Sequence, residues 1–297
     1  MTPRDDNQKE HVMRPLLIAV AIGLLACLPA PAGEAKQPDP KLLNLVESGS
    51  GFLKDGKLEE GGNTFLDAMK QFPDSDLPVL GILKTSRMYV EKKETGEAIK
   101  WLDRGVEVCT RKAELHIAAA TIYIEAKNNS EALVRARKAV EADPESIRII
   151  SNALTCMAAI EKFDDESKQL AERLQALQPR PVDAYLFLGF WHEKNNDPQT
   201  ALDYYLKAVN LDTNYMQSRL MLGKLYEKSG KADLAEREYL KMTNIAPSHY
   251  SGFLCLAELY DKQGKKDAAK DYAAEAARLR QAAEGDLKNL KAGEEER

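Results

Sequence analysis

The chain repeats itself about every 34 residues from Leu42 onward, and this period constrains its fold more than any other feature. The clearest copies begin at Val182, Met216 and Tyr250. They share a Leu at position 7, a small residue at position 8 and an Ala at position 20, carried by Leu188-Gly189, Leu222-Gly223, Leu256-Ala257, Ala201, Ala235 and Ala269. A repeat of this length cannot bury its apolar face alone, so neighbouring copies must stack into one array with a continuous core.

The same spacing extends toward the N-terminus and predicts seven copies over residues 42–283. They occupy 42–75, 79–112, 113–146, 148–181, 182–215, 216–249 and 250–283. The register slips by three residues after position 75 and by one after position 146. Ala, Leu, Lys and Glu dominate the composition and alternating β-branched runs are missing, so we expect helices and essentially no sheet.

The pattern resembles the tetratricopeptide repeat, which also has Tyr at position 11, an aromatic residue at 24 and Pro at 32. Here Tyr226 and Tyr260 occupy position 11, Tyr205 and Tyr239 position 24, and Pro247 position 32. The resemblance implies an all-α, right-handed superhelical α-solenoid in which each repeat is a helix A followed by an antiparallel helix B. It also implies a non-enzymatic protein that binds a protein or peptide partner.

The last residues, 284–297, predict a capping helix and a tail. If an eighth copy began at Glu284, Leu287 and Leu290 would fall at positions 4 and 7 and pack on the seventh repeat. We therefore expect a single capping helix at about 285–292, because an array needs a polar last surface.

Residues 1–35 read as a secretory signal peptide, followed by a linker over 36–41. Residues 16–28 form an uncharged apolar run, Arg14 precedes it, and small residues with prolines follow it. The run is shorter than the roughly 20 residues that a membrane-spanning helix needs. Met13 is a second candidate start.

Two processing routes remain open, with an uncleaved anchor as a third. Leu24-Leu25-Ala26-Cys27 resembles a bacterial lipobox, which implies lipidation of Cys27, and Leu28 after it points to the outer membrane. The other route is cleavage after Ala32 or Ala35. All three predict an exported bacterial protein whose repeats lie outside the cytoplasm, either in the periplasm or on an outer-membrane lipoprotein facing it.

Charge and motif content argue against several functions. The formal net charge is −5 with mixed signs, whereas nucleic-acid binding needs a basic stripe. The four histidines and four cysteines have no metal-site spacing, and the sequence has no Gly-rich phosphate loop or nucleophile elbow. We therefore expect no catalytic residue, no metal and no cofactor.

In this family, positions 2, 5, 9, 12 and 13 of helix A line a concave groove. The resemblance thus implies a partner-binding groove that is apolar in its N-terminal half and charged in its last two repeats. The predicted partner-binding residues are Leu43, Val46, Leu80, Leu83, Val90, Ile117, Ile124, Ile149, Leu186, Phe190, Leu220 and Leu254. The charged ones are Lys224, Glu227, Lys228, Glu258, Asp261 and Lys262.

An apolar groove suits an extended peptide or an amphipathic helix. The leading hypothesis is an adaptor of the cell envelope that helps assemble a secretion, pilus or outer-membrane complex. Three alternatives stay open: the apolar residues simply pack neighbouring A helices, they join copies of the chain in a homo-oligomer, or an acid such as Glu258 serves an unrecognised hydrolase. The carboxylate clamp of co-chaperone relatives is not supported, because its positions in the first copy are Val46 and Ser50.

Overall fold

The computed structural model of the chain describes residues 39–295, with side chains over 39–285. The predicted signal peptide, its candidate lipidation site Cys27 and residues 36–38 of the predicted linker lie outside the described residues. Over the described range the chain forms fourteen α-helices and no β-strand. Their bounds are α1 Pro40–Lys54, α2 Leu58–Gln71, α3 Asp76–Glu91, α4 Thr95–Val108, α5 Lys112–Glu125, α6 Asn129–Ala142, α7 Ile147–Ala159, α8 Asp165–Leu177, α9 Val182–Lys194, α10 Pro198–Leu211, α11 Met216–Lys228, α12 Ala232–Ile245, α13 Tyr250–Lys262 and α14 Lys266–Glu295.

The helices form seven consecutive A–B pairs, as the repeat pattern predicts. Odd-numbered helices are A helices and even-numbered ones are B helices. The chain divides into two compact units, the N-terminal unit ending at Leu170 and the C-terminal unit beginning at Ala171. Consecutive helices pack on one another from α1 to α7 in the N-terminal unit and from α9 to α14 in the C-terminal unit, which buries the apolar positions that no single pair could cover.

A left-handed residue separates helix A from helix B in all seven pairs and marks the register. These residues are Gly56, Lys93, Lys127, Glu161, Asn196, Gly230 and Gly264. A residue in this conformation ends a helix, because it lets the following backbone N–H groups hydrogen-bond to the last carbonyl oxygens of the helix. Six of them stand at position 15 of their predicted copy, but Glu161 comes one residue early. The one-residue insertion therefore lies in the turn between α7 and α8, whereas the repeat spacing had placed it before α7.

Positions 8 and 24 complement each other in volume. A Cβ on Gly223 would lie 2.4 Å from the ring of Tyr239, so the glycine makes room for a tyrosine that is only 1% exposed. Gly189 and Tyr205 repeat this arrangement. In the last pair both positions are alanine, Ala257 and Ala273. The larger residue at position 8 thus goes with a smaller one at position 24, since the exposed Ala273 carries no ring that Ala257 could overlap.

The C-terminal helix corrects one expectation. Residues 285–292 are helical, but α14 runs without interruption from Lys266 to Glu295, so no separate capping helix begins there. Position 32 of this copy is Gln281, whereas proline stands there in the preceding copy. Without a proline to remove the amide donor, an Ala-rich helix continues. The side chains of Leu287 and Leu290 lie outside the described residues.

Candidate functional site

We call the surface formed by positions 2, 5, 9, 12 and 13 of the odd-numbered helices the A-helix face. In the N-terminal unit it carries solvent-accessible aliphatic side chains. Leu43 on α1 and Leu80 on α3 are 38% and 36% exposed. Val46, Leu83 and Val90 are half-buried and pack against the core of that unit. These five residues form what we call the N-terminal apolar patch.

Farther along the same unit, two of the predicted partner-binding residues are buried in the core. Ile117 and Ile149 are 7% and 0% exposed and share a core cluster with Ala113, Ala120 and Cys156. Ile124 is half-buried and packs against that cluster. Alanines on α5 bring neighbouring helices close, so these isoleucines fill space between them. They serve packing, which was the alternative to partner binding.

In the C-terminal unit the apolar positions are also covered. Leu186, Phe190 and Leu220 are buried, and Leu254 alone of the four is half-buried. Five of the twelve predicted partner-binding residues are therefore core residues, which corrects the expectation of a continuous accessible strip. The accessible part is the N-terminal apolar patch, with Ile124 and Leu254 as isolated additions.

Two hydrogen-bonded groups, each made of a glutamate, a tyrosine and a lysine, lie on the A-helix face of the C-terminal unit, and we call them rungs. The Tyr205 hydroxyl donates to Glu193 Oε2 over 3.0 Å, and the ammonium of Lys228 from the next repeat pairs with Glu193 Oε1. One repeat later, Tyr239 donates to Glu227 Oε2 over 3.1 Å and Lys262 pairs with Glu227 Oε1. Each rung thus joins positions 12 and 24 of one repeat to position 13 of the next.

Burial and hydrogen bonding raise the pKa values of three donors in the rungs. Burial, reinforced by the neighbouring carboxylate, raises the pKa of the Tyr205 and Tyr239 hydroxyls, so both remain neutral donors. The hydrogen bond to Glu227 raises the pKa of Lys262, so this ammonium stays charged. Each glutamate therefore accepts a hydrogen bond from one tyrosine hydroxyl and one from a lysine of the next repeat.

Position 9 of this face carries a charged side chain outside the rungs on both α11 and α13. Lys224 and Glu258 occupy position 9 of α11 and α13, and both are half-buried. Desolvation by burial raises the pKa of Glu258, although Lys224 and Lys262 lower it. Among the described residues, Glu258 makes no hydrogen bond and no ion pair within 4 Å. The other acids differ: Glu193 and Glu227 accept hydrogen bonds in the rungs, and Asp261 pairs with Lys266 at 2.6 Å.

The described residues offer little else for chemistry. No group of three or more His, Cys, Asp or Glu side chains between residues 39 and 285 is arranged to hold a metal ion. Burial raises the pKa of the Cys156 and Cys255 thiols to about 12, so neither supplies a thiolate near neutral pH. None of the helices over 39–295 combines the length and hydropathy needed to span a membrane.

Sequence reasoning identified the charged positions of α11 and α13 but missed the rungs. The signal was present: Glu at position 12, Lys at 13 and Tyr at 24 recur together in the copies from Val182 and Met216. Reading position 12 together with positions 13 and 24, and not one position at a time, would have found them.

Comparison with known proteins supports the repeat assignment. The family model for the tetratricopeptide repeat matches residues 182–215 and 217–249. No curated protein sequence matches the chain. Among solved structures, a tetratricopeptide repeat protein from Parabacteroides merdae matches with a TM-score of 0.61 and 14% identity, covering 81% of this chain and 94% of its own.

Two further structures share the fold. PilW, described as a widely conserved type IV pilus biogenesis factor, matches with a TM-score of 0.53 and 18% identity, covering 65% of this chain and 90% of its own. PilF of Pseudomonas aeruginosa matches with a TM-score of 0.51 and 19% identity, covering 74% of this chain and 93% of its own. Residues 182–249 therefore match the tetratricopeptide repeat, and the seven A–B helix pairs have the fold of tetratricopeptide-repeat proteins.

Proposed function

We propose that this protein is a non-enzymatic adaptor of the bacterial cell envelope that holds a partner protein on its A-helix face. The observation that carries the proposal is the N-terminal apolar patch, where Leu43 and Leu80 remain more than a third exposed beside three half-buried aliphatic residues. A contiguous accessible apolar surface of this kind marks an interaction site in a soluble domain. An amphipathic helix or extended segment of the partner fits it.

The location rests on the sequence of residues 1–35. An apolar run after Arg14, followed by small residues, supports export, and Cys27 supports a lipid anchor at the outer membrane. Intact mass measurement of the mature protein separates the routes by a lipid adduct on Cys27, a start at Gly33 or Lys36, or an uncleaved chain. A role in assembling a secretion, pilus or outer-membrane complex agrees with what PilW is described as doing, and the envelope location is its main support.

Site-specific crosslinking in intact cells tests the binding surface. A photoreactive residue at Leu80 should capture one dominant envelope protein, and Leu43→Glu should abolish that product, because a carboxylate cannot be buried in an apolar contact without a partner. Val134 on α6 supplies a matched control, since it is an equally exposed aliphatic residue of the same unit on a B helix. Val134→Glu should leave the product unchanged.

Two kinds of outcome would contradict the proposal. Scattered abundant proteins in place of one product, or a product that survives Leu43→Glu, would exclude the patch as the partner site. A crosslinked product of twice the chain mass, with a stable dimer by light scattering, would replace the adaptor by a homo-oligomer that uses the same surface.

A further inference from the structure

Glu258 is an acid of the A-helix face in the C-terminal unit that takes no part in the rungs. Glu193 and Glu227 each accept from a tyrosine and pair with a lysine, and Asp261 pairs with Lys266. Glu258 lies among these groups, half-buried, without a hydrogen bond or ion pair in the described part of the chain. Neither nearby cation is bonded to it: Lys262 pairs with Glu227, and Lys224, at position 9 of the preceding A helix, forms no ion pair with Glu258 within 4 Å.

We propose that Glu258 is the anchor for a lysine or arginine side chain of a partner protein, docked on the A-helix face of the C-terminal unit. The proposal rests on the proposed function, in that this face binds a protein, and it adds the chemistry that the partner must bring. The inference concerns a surface separate from the N-terminal apolar patch.

Desolvation explains why a cation is the missing group. A half-buried carboxylate loses hydration, and only hydrogen bonds or close opposite charges compensate for the loss. The raised pKa of Glu258 reports that burial outweighs the attraction of Lys224 and Lys262. A partner ammonium or guanidinium within hydrogen-bond distance would restore the balance, because charge-assisted hydrogen bonds are stronger than neutral ones.

The surroundings favour a protein side chain over a free metal ion. A metal site needs several ligands, and no suitable group of side chains surrounds Glu258 among the described residues. Leu254 lies one helical turn before Glu258 on the same face of α13 and is half-buried. An aliphatic neighbour next to a carboxylate suits the long alkyl stem of lysine or arginine, which packs on apolar surface while its charged end reaches an acid.

A random peptide library displayed on phage and selected on the full chain tests the proposal, because the selection does not require the partner to be identified. The selected peptides should share a Lys or Arg, and a synthetic consensus peptide should bind Glu258→Gln about tenfold more weakly than the wild type. Replacing the cation of the peptide by norleucine should weaken binding to the wild type by a similar factor and leave binding to Glu258→Gln unchanged.

The matched control is Asp271→Asn, which removes the same charge from an exposed position of the same repeat on α14, a B helix. It should bind the consensus peptide like the wild type. Peptides that bind Glu258→Gln and the wild type equally overturn the proposal. If their binding is instead lost in Leu80→Glu, the proposed function stands and only this inference fails, whereas a selection that depends on neither residue overturns both.

Discussion

The N-terminal and C-terminal units use the same repeat but present different surfaces on their A helices. In the N-terminal unit, position 12 holds aliphatic residues such as Val90 and Ile124, and leucines at position 2 remain accessible. In the C-terminal unit, position 12 holds Glu193 and Glu227, and each glutamate bridges a tyrosine of its own repeat and a lysine of the next.

These two surfaces indicate that a tyrosine at position 24 is coupled to the residue at position 12 of the A-helix face. A tyrosine there fits beneath a glycine at position 8 and delivers its hydroxyl to position 12, which favours an acid. In the copies where position 24 is Leu102 or Ala136, that residue has no hydroxyl to donate, and position 12 is aliphatic, Val90 or Ile124. In these four copies the residue at position 24 thus matches the polarity of position 12, whereas the seventh copy has Asp261 at position 12 and Ala273 at position 24.

The largest expected effect tests this contact. Tyr239→Ala should lower the free energy of unfolding by about 3–5 kcal/mol, because it empties a space that tyrosine fills almost completely. Adding Gly223→Ala should recover about 1 kcal/mol, since the added Cβ no longer meets the Tyr239 ring and alanine has a higher helix propensity than glycine. Urea unfolding of the three proteins measures both. In the wild-type background Gly223→Ala should instead destabilise, so a gain there would contradict the volume argument.

The second prediction compares position 5 in the two units. Leu220 is 3% exposed, so Leu220→Ala should cost about 2–4 kcal/mol in urea unfolding. Leu83 is half-buried at the same position of the N-terminal unit, so Leu83→Ala should cost only about 1 kcal/mol. Equal losses for the two variants would mean that the leucines are covered to the same degree and would remove the distinction between the surfaces.

The third prediction distinguishes the N-terminal unit by its acid sensitivity. Burial, with the charges of Arg135, Lys138 and Lys112 outweighing that of Asp103, lowers the pKa of His116 to about 4. The Nδ1 atom of this histidine is buried without a hydrogen-bond partner. The folded state therefore favours the neutral ring, and the resulting stability is present above the unfolded pKa of about 6.5 and is lost as the pH falls toward 4.

Between pH 7 and pH 4.5 this single group should cost about 2 kcal/mol of unfolding free energy. His116→Leu should reduce the loss over that interval by the same amount, and unfolding curves at the two pH values measure it. An unchanged pH dependence in His116→Leu would show that the acid response comes from carboxylates elsewhere.

Much of the fold was predictable because it depends on local spacing. The small residues at positions 8 and 20 fixed the register, and in the C-terminal copies α9, α11 and α13 begin at the positions that this register assigns. Two predictions about individual helix boundaries were wrong. The one-residue insertion was placed before α7 although it lies in the following turn, and the helix predicted to start near 285 is the continuation of α14.

The candidate surface was harder to predict, because accessibility depends on neighbouring helices. Ile117 and Leu83 occupy the same position of adjacent copies, yet only Ile117 is buried. The alanines of α5 allow close packing around Ile117, and a one-dimensional pattern does not report how far apart two helices stand. The unbonded state of Glu258 also depends on where its neighbours' hydrogen bonds go.

The spacing of the rungs has a consequence for how such a chain can lengthen. Lys228 and Lys262 each lie 35 residues beyond their glutamates, so an in-frame duplication of residues 216–249 would supply Glu, Tyr and Lys already in register. Duplication of residues 42–75 would behave differently. Phe65 fills the space above Gly81 of the next copy, and a duplicated segment would set Asn44 against that ring. Gene duplication is therefore free to extend the array from its C-terminal repeats and is penalised at its first one.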